Sequence, residues 1–156
     1  MPTEVVIVGL PRLRRQLKAQ VWLPPSQKML SSAAHLMRDT ARQLAMEHSD
    51  TGVGAQSFVA EISDGLATVY SPLEYMSVQE HGRSPGSRQP PVGALGGWAK
   101  RHGFVGSLFV LARSIGRRGT PARRTFERAI SKVLQAIPRL EREASIEIES
   151  AWNKVP

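Results

Sequence analysis

The chain has 156 residues and a net charge of +8, and 41% of its residues are hydrophobic while 22% are charged. These values predict one folded domain over residues 1–156 and exclude disorder of the whole chain, since a domain of this size can bury a core unaided. The lack of cysteine excludes disulfides, thiolate metal sites and cysteine nucleophiles. No apolar run has the length of a membrane span, and the N-terminus lacks a signal-peptide layout, so we expect a soluble protein made in the cytoplasm.

The N-terminal region predicts a strand followed by a short helix. Glu4–Val8 is β-branched and ends at Gly9, which is typical of a strand. Pro11 suits the first turn of a helix, and apolar residues recur after it at helical spacing. These residues are Leu10, Leu13, Leu17 and Val21.

A longer helix is expected next. Leu23–Pro25 should interrupt the first helix, and Ser26 is a suitable N-cap for a second helix that runs to about Glu47. One apolar stripe supports this helix. Its members are Leu30, Ala33, Met37, Ala41 and Leu44.

The middle of the chain predicts a β-hairpin. Gly52 and Gly54 should end the helical region, and residues 56–62 alternate imperfectly between apolar and polar. Asp64-Gly65 is a strong two-residue hairpin signal, and Leu66–Tyr70 is its expected partner strand.

The C-terminal half predicts a loop and then helices. Half of residues 82–97 are Gly or Pro, so this segment is interpreted as an inserted loop. A turn should separate Trp98 from a short helix that ends at Ala112–Ile115. A C-terminal helical segment is expected over 121–153, beginning at Pro121, with a kink or break near 134–138 caused by Pro138. The predicted fold class is therefore α+β, a small antiparallel β-sheet packed against one or two long helices, with a Gly/Pro-rich loop and C-terminal helices.

Catalytic and metal-binding patterns are weak throughout. Asp50-Thr51-Gly52 has the triplet of aspartic proteases, but it follows the polar end of a helix, which favours a turn in which Asp50 bonds its own backbone. The histidines lack zinc-ligand spacing, and no nucleophile, base and orienting group occur together. We therefore predict no enzyme activity, no catalytic residue, no metal and no cofactor.

The charges are segregated along the chain. Residues 51–80 contain acids and no Lys or Arg, whereas residues 81–128 contain Glu127 as their one acid. This contrast predicts complementary faces for subunit contact, a DNA-facing surface, or a solvated face. The basic residues of the second segment are Arg83, Arg88, Lys100, Arg101, Arg113, Arg117, Arg118, Arg123, Arg124 and Arg128.

The order of short motifs resembles a family of phage proteins. A long helix leads into Asp50-Thr51-Gly52, a hairpin ends at Val69-Tyr70, and Tyr75 is followed by Glu80-His81-Gly82 and a Pro-rich loop. Gly119-Thr120-Pro121 and Phe126 then introduce the last helix. This order, over about residues 4–130, is similar to the neck and tail-completion proteins of tailed bacteriophages, which include relatives of the lambda minor tail protein Z. The chain departs from the usual Glu-x-Gly-Thr at Arg83 and carries a longer central loop.

The resemblance implies a structural virion protein of the head–tail joining region, a ring around the DNA channel built from copies of one chain. A hexamer is preferred and a dodecamer is the alternative. Its implied partners are other connector and tail tube proteins, with nonspecific contact to packaged DNA and no membrane. Its implied location is the virion neck or tail end, after assembly in the host cytoplasm.

Candidate interface or DNA-channel residues follow from the motifs and the charge pattern. They are Tyr75, Glu80, Arg83, Arg88, Trp98, Arg113, Arg117, Arg118, Arg123 and Arg124. The alternative hypothesis is a basic nucleic-acid-binding protein of a phage or prophage, although no helix-turn-helix, zinc-finger or RNP pattern occurs. A toxin-like or regulatory prophage protein is a third hypothesis, which the neighbouring genes would test.

Overall fold

The computed structural model describes residues 10–63 and 65–155, and the predicted strand Glu4–Val8 lies outside them. The predicted α+β class is confirmed: a two-stranded antiparallel sheet packs on long helices. In chain order the elements are α1 (Leu10–Lys18), α2 (Leu23–Met46), α3 (Val53–Gln56), β1 (Val59–Ser63), β2 (Leu66–Tyr70), α4 (Glu74–His81), α5 (Val92–Arg101), α6 (Leu108–Arg118) and α7 (Thr125–Lys154). None of the described helices is both long enough and apolar enough to cross a membrane.

The start of α2 differs from the prediction. The break after α1 lies at residues 19–22, and α2 begins at Leu23 with both prolines in its first turn, so Leu23–Pro25 is helical and Ser26 is not the N-cap. First-turn N–H groups have no partner within a helix, and proline has a helical φ, so the two prolines fit there. The Ser26 hydroxyl instead donates to the carbonyl of Trp22 at 2.7 Å.

The two long helices, α2 and α7, run antiparallel. An ion pair joins Lys28 near the start of α2 to Glu147 near the end of α7, and Arg128 near the start of α7 lies 3.2 Å from Glu47, just past the end of α2. Small buried side chains allow the helices to approach closely. Those on the two helices are Ala34, Ala41, Ala45, Ala129 and Ala144.

The core lies where α2, α3, α4 and α7 meet around Phe58, the residue before β1. Phe58 is fully buried and packs edge-on against Phe126 of α7, with ring centroids 5.2 Å apart. Leu44 of α2 and Met76 of α4 belong to the same apolar cluster. The Arg42 side chain donates to the Phe58 carbonyl at 2.7 Å and fixes the entry to β1 against α2.

The predicted hairpin is confirmed. Ala60 pairs with Val69 and Ser63 pairs with Leu66, which leaves a two-residue turn; Gly65 has φ +77°, and Asp64 lies outside the described residues. Alternation of side chains places Ala60 and Val69 on the half-buried face towards α2. The opposite face is exposed and carries Val59, Glu61, Leu66 and Tyr70.

Two helical segments contradict the prediction and a third had no prediction. The glycines after the long helix do not end helical structure, since α3 (Val53–Gln56) contains Gly54. No element was predicted for the residues of α4. The loop predicted over 82–97 is wrong from Val92 onward, because α5 begins there and includes three glycines. Each such glycine costs about 1 kcal/mol relative to alanine, and the packing of α5 against α6 offsets this cost.

The last helix also corrects the prediction. α7 begins at Thr125 rather than Pro121, because residues 121–124 are bonded as coil to α4: Arg123 N–H donates to the Gln79 carbonyl at 2.7 Å. α7 continues unbroken through Pro138. Pro138 and Leu134 both lie on the exposed side of the helix, where water can bond the carbonyl that the proline leaves without a donor.

Candidate assembly interface

Two motifs that lie far apart in sequence are bonded to each other. The N–H of Arg83 donates to the carbonyl of Thr120 at 2.9 Å, and the N–H of Thr120 donates to the carbonyl of Arg83 at 3.0 Å. We call residues 80–83 with 119–120 the clasp. It joins the end of α4, the end of α6 and the chain that leads into α7.

Two glycines allow the clasp to close. Gly82 has φ +71° and ψ −168°, and Gly119 has φ +72° and ψ −169°, a region that is essentially restricted to glycine. A Cβ atom on Gly82 would lie 2.5 Å from the Thr120 carbonyl oxygen, and one on Gly119 would overlap the Arg83 carbonyl oxygen. The glycines of both motifs are therefore required by the close approach of two backbones.

Glu80 caps the start of α7. Its carboxylate accepts hydrogen bonds from the N–H of Phe126 at 2.9 Å and of Glu127 at 3.2 Å. The first N–H groups of a helix lack partners and carry partial positive charge, so a carboxylate there contributes about 1 kcal/mol. Glu80, predicted as an interface or channel residue, has a structural role in the described chain.

The clasp encloses residues 84–118, which contain α5 and α6 packed on each other. We call this segment the arm. At its base Gly86 N–H donates to the Gly116 carbonyl at 2.9 Å, and the Arg83 guanidinium donates to the Arg88 carbonyl at 2.9 Å. Arg83 is thus half-buried and holds the base of the arm, while the Arg88 side chain is exposed.

The Asp-Thr-Gly turn holds the arm from the other side. Asp50 accepts from Arg101 Nε at 2.8 Å and lies 3.0 Å from His102 Nε2, so it does not bond its own backbone as predicted. The Arg101 guanidinium, followed by His102, lowers the pKa of Asp50. The turn itself is closed by Ser49, whose hydroxyl accepts the N–H of Gly52 at 2.7 Å, and Thr51 is exposed.

The two aromatic candidates lie beside these contacts. Trp98 stacks on His102 with ring centroids 4.9 Å apart, and its ring lies 6.0 Å from that of Phe104. Both contacts lie within the arm, between α5 and the turn that follows it. Tyr75 lies against Gly54, where an added Cβ would be 2.8 Å from the phenol oxygen. Burial raises the pKa of Tyr75.

The remaining arginine candidates are exposed. Within residues 10–63 and 65–155, four of them have no acidic side chain within 4.0 Å: Arg113, Arg117, Arg118 and Arg123. Arg124 lies 3.6 Å from Glu127, three residues further along the chain. The structure therefore separates these candidates into Glu80 and Arg83, which hold the clasp and the arm base, and exposed arginines on or beside the arm, of which Arg124 is ion-paired.

Apolar side chains also lie at the exposed end of the arm. Val105 is 99% exposed, Val110 64% and Phe109 55%. They occupy the turn between α5 and α6 and the first turn of α6. None of the three was predicted as a site residue, although Phe109 and Val110 belong to the uninterrupted apolar run Leu108–Ala112, which was the available signal.

No group of three or more His, Asp or Glu side chains among residues 10–63 and 65–155 is arranged to hold a metal ion. The Ser57 hydroxyl lies 2.6 Å from both the Gly54 carbonyl and the Ser71 hydroxyl, and so ties α3 to the end of β2. The motif residues around Asp50 thus have partners that explain them structurally.

The clasp is the part of the site that sequence reasoning missed. Both runs were noted as motifs, but nothing in their spacing indicates that Arg83 and Thr120 pair. Comparison with protein-family models, with curated proteins and with solved structures finds no match to this chain. The phage resemblance therefore stays a prediction from the motif order.

Proposed function

We propose that the chain is a structural subunit of the head–tail joining region of a tailed bacteriophage, where copies form a ring around the DNA channel. The observation that carries this proposal is the clasp. Two of the runs that carry the resemblance, which end at Gly82 and begin at Gly119, meet in one hydrogen-bonded unit. This contact supports the interpretation of the two runs as parts of one structural unit.

The surface properties support a subunit role. A ring in which each copy meets the next head to tail needs two different patches on one chain. The arm offers an apolar end with exposed arginines, whereas residues 51–80 carry the exposed acids Glu61 and Glu74 and contain no Lys or Arg. Opposite charge on two such patches sets the orientation in which copies meet.

The proposal includes the partners and location that the resemblance implies. The ring is a hexamer by preference and a dodecamer as the alternative, located at the neck or tail end of the virion. It contacts other connector and tail tube proteins, and its exposed arginines face neighbouring copies or packaged DNA. Assembly takes place in the host cytoplasm.

A conditional null mutant of the phage that carries the gene tests the role. Without the chain, we expect filled heads and separate tails to accumulate, and adding the purified full-length chain to the extract should restore joined, infectious particles. Normal numbers of infectious particles without the chain, or mature virions that lack it by mass spectrometry, would refute the proposal.

A second candidate function is nonspecific DNA binding. It is favoured by the exposed Arg113, Arg117, Arg118 and Arg123, which have no acidic partner among the described residues. Binding that neutralises phosphates weakens steeply as salt rises, because counterions are released. Binding of the isolated chain to duplex DNA at about 0.1 M salt, lost when these arginines are replaced by glutamine, would support a DNA-binding function. If the chain does not bind duplex DNA at that salt concentration, this function is eliminated.

A further inference from the structure

The exposed end of the arm has the character of a docking element. α6 turns Ala112 and Gly116 inward, where both are buried, while Phe109 and Val110 point outward. Val105, in the turn before α6, is almost fully exposed. We call Val105, Phe109 and Val110 the arm tip. Single exposed apolar side chains are ordinary, but several within six residues at the end of one helical hairpin indicate a contact surface.

A second apolar surface lies on the hairpin. In the observed register Val59 pairs with Tyr70 and Ser63 pairs with Leu66, so these positions share the face that points away from α2. Leu66 is 68% exposed, and Val59 and Tyr70 are also exposed. We call Val59, Leu66 and Tyr70, with Glu61 between them, the hairpin outer face. The Tyr70 hydroxyl donates to Glu61 at 2.6 Å, so the acid is held on this face.

Charge decides which surface suits the arm tip. Arg113 follows Phe109 by one helical turn and Arg117 follows by two, so the tip continues into a basic stripe. The hairpin outer face carries Glu61, and residues 51–80 contain no Lys or Arg. Another exposed apolar row, which includes Ile130 and Leu134, lies on α7, where exposed cations and acids alternate, so its charge is mixed rather than acidic. The exposed charged residues around this row are Glu127, Arg128, Lys132, Arg139 and Glu141.

We propose that the arm tip of one copy docks on the hairpin outer face of the next copy. This inference rests on the proposed function, because it names the two surfaces through which the ring closes. Each copy uses its arm once and its hairpin once, which is the head-to-tail arrangement that a cyclic ring requires. The basic stripe behind the tip lies towards Glu61 of the neighbour and fixes the orientation.

The absence of native cysteine allows a direct cross-linking test. The null phage is complemented with the full chain carrying Val105→Cys and Leu66→Cys together, and virions are treated with a short bis-maleimide reagent. We expect a ladder of dimers and larger species on a denaturing gel. Each single variant should stay monomeric, because two arm tips, or two hairpins, do not meet in a head-to-tail ring.

The outcomes separate this inference from the proposed function. A complementing double variant without a ladder overturns the docking inference and leaves the ring function standing. A ladder from Val105→Cys with Leu134→Cys, in place of Leu66→Cys, also overturns it, because the tip would then contact α7. A null phage that needs no complementation overturns both. If the variant with the first pair does not complement the null phage, Val110→Cys with Leu66→Cys makes the same test from within α6. A complementing variant of this second pair that gives no ladder also overturns the inference.

Discussion

The body of the chain and the arm differ in the size of the apolar side chains that they bury. In the body, which comprises α2, α3, α4, α7 and the hairpin, Phe58 and Leu44 are fully buried and the long helices meet through alanines. In the arm, the buried residues are small, as Ala99 and Ala112 show, and none of its large apolar side chains is fully buried.

We expect this difference to separate the residues that stabilise the fold from those that contact neighbouring copies in the proposed ring. Burial of large apolar groups is the main favourable term in folding, so the body carries the stability of the chain. The arm is attached through the clasp and through Asp50, and its large side chains remain available for another surface. Substitutions in the two regions should therefore affect different measurements.

The largest effect on folding is expected in the body. Phe58→Ala removes a fully buried ring that packs against Phe126 and should lower the free energy of unfolding by about 3–5 kcal/mol. Val105→Ala, in the arm tip, should change it by less than about 0.5 kcal/mol. Urea titration followed by circular dichroism measures both. Similar losses for the two variants would contradict the division between body and arm.

The second largest loss of stability is expected for substitutions in the clasp. Gly82→Ala forces a side chain into a backbone conformation restricted to glycine and against the Thr120 carbonyl, which should cost about 3 kcal/mol. Gly86→Ala is the matched control, since Gly86 also has positive φ but its Cβ would meet no atom within 4 Å. We expect about 1–2 kcal/mol for the control. Equal losses in denaturant titration would show that the close approach of backbones is unimportant.

The cap on α7 is a smaller contribution. Glu80→Ala leaves the N–H groups of Phe126 and Glu127 without their carboxylate and should cost about 1 kcal/mol. Glu141→Ala, at an exposed position in the middle of α7, should change stability by less than about 0.5 kcal/mol. Thermal unfolding of both variants measures the difference. If the Glu80→Ala variant lost no more stability than the control, Glu80 would have no capping role.

The smallest effect concerns Asp50 and pH. The pKa of Asp50 is lowered in the folded chain, chiefly by Arg101, so its contribution to stability is present above the unfolded pKa of about 3.9 and is lost as pH falls through the folded pKa. Asp50→Asn should be less stable than the wild type at neutral pH, and the gap should close below about pH 4. Denaturant titrations over this range measure the gap, and a gap that is constant with pH would contradict the account.

Much of the body was predictable because its signals are local. The hairpin follows from the residues around Gly65, and α2 and α7 follow from their apolar stripes. The start of α2 was misjudged because two consecutive prolines are as compatible with a first helical turn as with a break.

The arm and the clasp depend on contacts that are distant in sequence. α5 contains three glycines and is helical because it packs on α6, which local propensity does not reveal. The pairing of Arg83 with Thr120 likewise has no local sequence pattern. The one indication is that glycines flank the arm, which is compatible with a close approach of the two backbone segments. The role of Asp50 was misread as a self-contained turn, because its partner Arg101 lies far along the chain.

The most direct measurement of the central claim is an electron cryomicroscopy map of the head–tail junction in particles assembled with this chain. The account predicts a closed ring of copies around the DNA channel, with each arm in contact with the hairpin of its neighbour. A junction with no density for the chain, or with copies that do not touch one another, would contradict it.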